Sequence, residues 1–150
     1  MNNNLNYEQL IDVCEDFIIA ANEYDKNGRP KDPEWVEFLP KMCTIHHAFG
    51  QWIRQNKEVT EYTLDIYTNA GECLAYELKH LNDWARVEAI YHHMVWMYKD
   101  YATEIDQERL MYYQEQEKEA QLNKHEKQSF GCFGCLGILI VVGILYKMLF

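Results

Sequence analysis

The stretch that decides the fold is Tyr7–Tyr24, YEQLIDVCEDFIIAANEY. Its apolar residues Leu10, Ile11, Cys14, Phe17, Ile18, Ala21 and Tyr24 recur at steps of three and four, which places them on one face of an α-helix. The polar residues between them fall on the opposite face, so this is a surface helix with a single buried side. Working outward, Asp25–Lys31 is a turn-rich linker, and Asp32-Pro33-Glu34 then sets an N-cap acceptor, a first-turn proline and a first-turn acid in the order that opens a helix. A second stripe follows: Trp35, Phe38, Leu39, Met42, Ile45, His46, Phe49, Trp52 and Ile53. Pro40 has no N–H to donate and is expected to kink or restart that helix.

A third stripe is Val59, Tyr62, Ile66, Ala70, Cys73, Leu74 and Leu81. The fourth begins behind the caps Asn82 and Asp83 with Trp84, Val87, Tyr91, Met94, Val95, Tyr98, Tyr101, Ala102 and Ile105. No segment alternates with period two and the connections are short. The chain is therefore expected to be all-α, its residues 1–105 forming a four-helix bundle or a helical-hairpin array of mostly antiparallel helices. Past Ile105 the stripe thins, and Glu, Gln and Lys dominate 106–129, which reads as a charged helical stalk or linker.

The chain has 150 residues and a net charge of −10, from 24 acids against 14 Lys and Arg. That length gives one soluble core, and a surface so acidic repels a phosphate backbone, which disfavours nucleic acid as a general partner. Apolar residues are concentrated at the C-terminus, where 16 of the last 21 are apolar. Between Lys127 and Lys147 lie 19 uncharged residues, close to the length that spans a bilayer. The twelve Leu, Ile, Val and Phe of 130–150 contribute about −4 to −7 kcal/mol to insertion, more than the glycines and Lys147 oppose. A transmembrane helix is expected over 130–150, built on Phe133, Leu136, Ile138, Leu139, Ile140, Val141, Val142, Ile144 and Leu145. Lys147 would reach the headgroups at its far end.

Met1–Glu8 has neither a basic nor an apolar leader region, and Lys118, Lys124 and Lys127 precede the span. The expectation is a single-pass tail anchor that holds the N-terminal part in the cytoplasm. Cys132 and Cys135 sit where juxtamembrane cysteines are acylated. Gly131, Gly134 and Gly137 would allow close helix approach in the bilayer, and with it homo-oligomers. Cys14, Cys43 and Cys73 lie on or beside apolar stripes and read as small hydrophobes of a reducing compartment.

Chemistry is sparse. His46-His47 and His92-His93 cannot each aim both rings at one ion, because neighbouring helical residues diverge by about 100°, and His46 belongs to an apolar stripe. No cofactor motif occurs, and catalysis is not the leading expectation. Arg86-Val-Glu-Ala-Ile-Tyr-His92 resembles the Arg-x(4–6)-His element of HEPN-type helical ribonucleases, with Val87 where that family usually has a polar residue. The resemblance implies that Arg86 stabilises phosphate charge and that His92 acts as acid or base. Asn69-Ala-Gly-Glu-Cys-Leu-Ala-Tyr76 with Leu81–Tyr91 resembles one tetratricopeptide unit, on Gly71, Ala75-Tyr76 and Asp83-Trp84. That resemblance implies a helical-hairpin scaffold that binds a partner peptide. Trp96 and Tyr112-Tyr113 fall off the stripes, as interface aromatics do.

The leading expectation is thus a tail-anchored helical domain that binds or tethers a protein partner of unknown identity. The alternatives are a membrane-tethered HEPN-like ribonuclease or toxin-type enzyme, and a small membrane-active protein oligomerising through its span.

Overall fold

The computed structural model describes residues 5–27, 32–56, 60–101 and 107–126. Among them are five α-helices and no strand: α1 (Tyr7–Asn27), α2 (Pro33–Asn56), α3 (Glu61–His80), α4 (Trp84–Tyr101) and α5 (107–126). Their starts follow local chemistry. Asn6 and Gln9 exchange reciprocal side-chain-to-backbone bonds at 2.9–3.0 Å, a capping box for α1. The Asp32 carboxylate accepts from the Glu34 N–H at 3.0 Å, and the Thr60 hydroxyl accepts from the Thr63 N–H at 3.1 Å. Helix α2 continues through Pro40 rather than restarting there. Between α3 and α4, Asn82 takes φ 55°, the left-handed turn residue that lets the Asp83 N–H reach back to the Leu78 carbonyl.

Side-chain pairings fix the directions. Tyr7 stacks on Trp52 and Phe17 on Trp35, so α1 and α2 are antiparallel. His46 stacks on Tyr67 and Trp35 bonds Glu77, which makes α2 and α3 antiparallel in turn. Successive helices continue to reverse through α4 and α5, where His92 meets Glu117 and Glu88 meets Lys124. Helix α3 packs against α1, α2 and α4, α2 also packs against α4, and α1 and α4 have at most glancing contact. A closed four-helix bundle would bring α1 onto α4. The observed pattern is a helical bundle in two layers, α1, α3 and α5 over α2 and α4.

The core is the set of stripes read above, with Leu10, Cys14, Phe17, Leu39, Met42, Phe49, Ile53, Ala70, Leu74, Val87, Met94 and Tyr98 all buried. Tyr62 departs from its stripe, standing 57% exposed. Helices α2, α3 and α4 meet at Gly71, where an added Cβ would lie 2.8 Å from Met94 Sδ and 2.9 Å from His46 Nε2. Both neighbours are fully buried, so neither has room to yield. Gly71→Ala is expected to lose about 1–2 kcal/mol, overpacking outweighing the gain in helix propensity. Urea denaturation checks this, and a rise in midpoint would contradict the close approach.

Of the 106–129 segment the described part is 107–126. These residues are helical, but they lie in the groove between α3 and α4 instead of projecting as a stalk. Tyr113 and Ala120 are buried and Leu110 packs on the core. The rest of the contact face is polar: Lys79 donates to Gln116 at 2.6 Å, His92 pairs with Glu117 at 2.8 Å, and Lys124 pairs with Glu88 at 2.5 Å.

Among the described residues no helix is long and apolar enough to cross a membrane. The predicted span, with Cys132 and Cys135, lies outside them.

Candidate functional site

Because α3 has α1 and α5 at its sides and α2 and α4 beneath, only one strip of it reaches solvent. Tyr62, Asn69, Glu72 and Tyr76 are exposed there, with Asp65 and Cys73 half-buried, at the three- and four-residue steps of a single helix face. The strip is the floor of a groove walled by α1 and α5. A cavity of about 330 Å³ opens in it, lined by Ala21, Asn22, Glu72, Cys73, Tyr76 and Tyr112.

Carboxylates border the groove. Tyr62 donates its hydroxyl to Glu15 on α1, Tyr113 donates to Glu72 at 2.5 Å, and Asp65 lies 3.5 Å from Arg109. The Tyr62 phenol is held above its ordinary pKa, chiefly by that bond to Glu15 and further by Asp12 nearby. Burial, then the charges of Glu72 and Glu119, raise Tyr112 in the same direction. Both phenols therefore stay neutral donors at physiological pH. Large apolar side chains are exposed on the same layer: Ile19, Tyr62, Tyr76, Met111, Tyr112 and Leu122 belong to α1, α3 and α5, and Trp96 alone among the described residues belongs to the other.

The other layer carries the histidines. A cleft of about 560 Å³ between α2 and α4 is lined by Cys43, Thr44, His47, Arg86, Ile90 and His93. Arg86 is engaged by Asp83, one turn before it. His92 faces away from this cleft and bonds Glu117 on α5. The fold therefore does not bring Arg86 and His92 into one cleft, because six helical positions turn the side chains about 120° out of phase. His93, seven positions on, is nearly in phase and shares the cleft with Arg86. In the sequence His93 was weighed only as a metal ligand and not as a neighbour of Arg86, although the i, i+7 spacing signals it.

Gln51 and His47 approach at 2.9 Å, and His47 Nδ1 and His93 Nε2 at 3.0 Å. With the amide donating to His47 Nε2, the His47 Nδ1–H donates to His93, a neutral chain of bonds. Burial, followed by the His47, His92 and Arg54 charges, lowers the His93 pKa and favours that neutral form. Among the described residues no three His, Cys, Asp or Glu side chains converge on a metal position. Burial pushes the Cys14 thiol up to about 12 and Cys43 to about 11, so neither is a thiolate nucleophile. A third surface, the outer edge of α1 and α2, holds a cavity of about 610 Å³ lined by Val13, Phe17, Ala20, Trp35, Phe38 and Ile45.

No protein-family model, no curated protein and no solved structure matches the chain.

Proposed function

We propose that the chain is a membrane-tethered helical interaction module, in which the apolar segment 130–150 enters the bilayer and the α1–α3–α5 groove receives a segment of a protein partner. The observation that carries this reading is the groove itself. Tyr76 and Tyr112 flank one cavity at 48% exposure each, the first ring 4.4 Å from that of His80 and the second 5.4 Å from that of Tyr113, and half-exposed amphipathic rings around a concavity are what protein interfaces bury. The cavity at the edge of α1 and α2 sets Asp16, Lys41 and Thr44 in a mostly apolar lining, whereas the groove combines exposed tyrosine rings with several carboxylates. The ribonuclease alternative has no comparable support, since Arg86 and His92 are engaged by Asp83 and Glu117 in different clefts.

The membrane half is tested by alkaline carbonate extraction of membranes from cells expressing the chain. The full chain is expected in the pellet, and a chain lacking 130–150 in the supernatant, still helical and cooperatively folded. Extraction of the full chain would sink the anchor. The groove half is tested by a photo-crosslinking amino acid at Tyr76 or Tyr112. A discrete protein adduct is expected from both positions and not from Glu37 on α2; equal adducts from all three would sink the groove as the binding site.

A further inference from the structure

The groove carries more information than its shape. Six carboxylates border it: Asp12 and Glu15 from α1, Asp65, Glu72 and Glu77 from α3, and Glu119 from α5. Among the described residues two cations accompany them, both engaged within the chain, as are Glu15, Asp65, Glu72, Glu77 and Glu119 by Tyr62, Arg109, Tyr113, Trp35 and Lys79. Arg109 donates toward Asp65 and the Tyr98 hydroxyl, and Lys79 toward Gln116 and Glu119. The excess of negative charge faces the same solvent channel as the rings of Tyr62, Tyr76 and Tyr112. A ring face attracts a cation, and a carboxylate beside it adds a charge-assisted hydrogen bond. The chain already uses this chemistry internally, where the Arg54 guanidinium lies 3.2 Å from the centre of the Trp96 ring and also pairs with Asp100.

Resting on the groove reading above, we propose that the partner segment is basic: an arginine- and lysine-rich peptide of another protein, lying along α3 with its cations between the tyrosines and the carboxylates. Tyr62 and Tyr76 are 14 residues apart on one helix, about 21 Å, a span that about six or seven residues of extended peptide cover. Arginines at alternate positions would then point into the groove. An acidic peptide meets like charge along the whole channel. A second copy of this chain, with net charge −10, presents the same sign as the groove. The 128–150 segment offers only Lys147 as a cation.

The probe is a fluorescein-labelled peptide of alternating arginine and alanine, about ten residues long, titrated with the full chain in detergent micelles and read by anisotropy. Saturable binding is expected, weakening several-fold between low and moderate salt as exposed charges are screened. The variant Tyr76→Ala/Tyr112→Ala should bind about tenfold more weakly with unchanged circular dichroism. Glu15→Gln/Glu119→Gln should weaken binding several-fold, while Glu34→Gln/Glu37→Gln on α2, removing the same charge elsewhere, should not. Equal loss from both glutamate pairs would reduce the effect to net charge and overturn the proposal, as would equal binding of the peptide with glutamate for arginine. Crosslinking at Tyr76 separates the two readings. An adduct to a neutral or acidic segment there overturns the basic partner and leaves the groove standing, whereas absence of any adduct, with no arginine-peptide binding, overturns both.

Discussion

Tyr113→Ala is expected to lower the unfolding free energy by about 3–4 kcal/mol, the cost of deleting a large buried aromatic side chain. Tyr113 is 1% exposed, its ring lies 5.3 Å from that of Tyr98 and 6.2 Å from that of Tyr91, and its hydroxyl donates to Glu72. Removing it opens a cavity under α5 and leaves Glu72 without that donor. The size of the effect distinguishes the observed docking of α5 from a projecting stalk, on which a surface substitution would change stability by less than about 0.5 kcal/mol. Tyr113→Phe should cost only about 1–2 kcal/mol, because the ring still fills its site and only the hydrogen bond is lost. Urea denaturation of the three proteins measures both steps, and a neutral Tyr113→Ala would refute the packing of α5.

The second large effect is acid sensitivity centred on His46. Its ring is 1% exposed, stacks on Tyr67 at 4.2 Å and donates from Nε2 to the Tyr67 carbonyl at 3.0 Å. Burial lowers its pKa to about 4 from an ordinary 6.5, with the Tyr67 carbonyl opposing that shift and His93 and His47 adding to it. The unfolded chain therefore takes up the proton first as pH falls. Stability from the neutral ring is fully present above pH 6.5 and is lost progressively down to pH 4, by about 2–3 kcal/mol at pH 4.5. His46→Gln removes the titration, so its stability should fall less than the parent's between pH 7 and pH 4.5 by that amount. An identical fall in the two proteins would contradict the assignment. His93, also lowered, contributes in the same direction to both and cancels in the comparison.

Four of the five described helices were legible because an amphipathic helix repeats its apolar residues on a period that does not depend on what it packs against. Two caps were legible for the same reason, Asp32 and Asp83 acting on backbone within three residues of themselves, whereas Thr60 gave no such signal and Asn82 closes α3 instead of opening α4. The docking of α5 was not. Leu110, Tyr113 and Ala120 are too few to form a stripe, and the intervening contact positions Gln116, Glu117 and Lys124 are polar side chains whose partners lie on α3 and α4. A polar residue buried by a distant partner looks the same in sequence as one facing water. Tyr62 shows the converse, an apolar position on the expected period that solvent reaches because it looks out between α1 and α3.

The functional readings divide along the same line. That Arg86 and His92 diverge follows from helix geometry, and so does the in-phase placement of His93, yet the cleft they border exists only because α2 lies parallel to α4. The sequence by itself determined the all-α class, the buried face of each of the first four helices, the concentration of acids in residues 1–129 and of apolar residues in the tail. These are properties of near neighbours along the chain, governed by the helical period and by composition. Tertiary packing set the two-layer order of the helices, the place of α5 in the upper layer, and the single groove that the tyrosines and carboxylates of α1, α3 and α5 border. Those outcomes depend on contacts between residues far apart in the chain, such as Tyr62 with Glu15, Tyr113 with Glu72 and His92 with Glu117. The direction and distance of such contacts are set by helix packing, which no local period encodes.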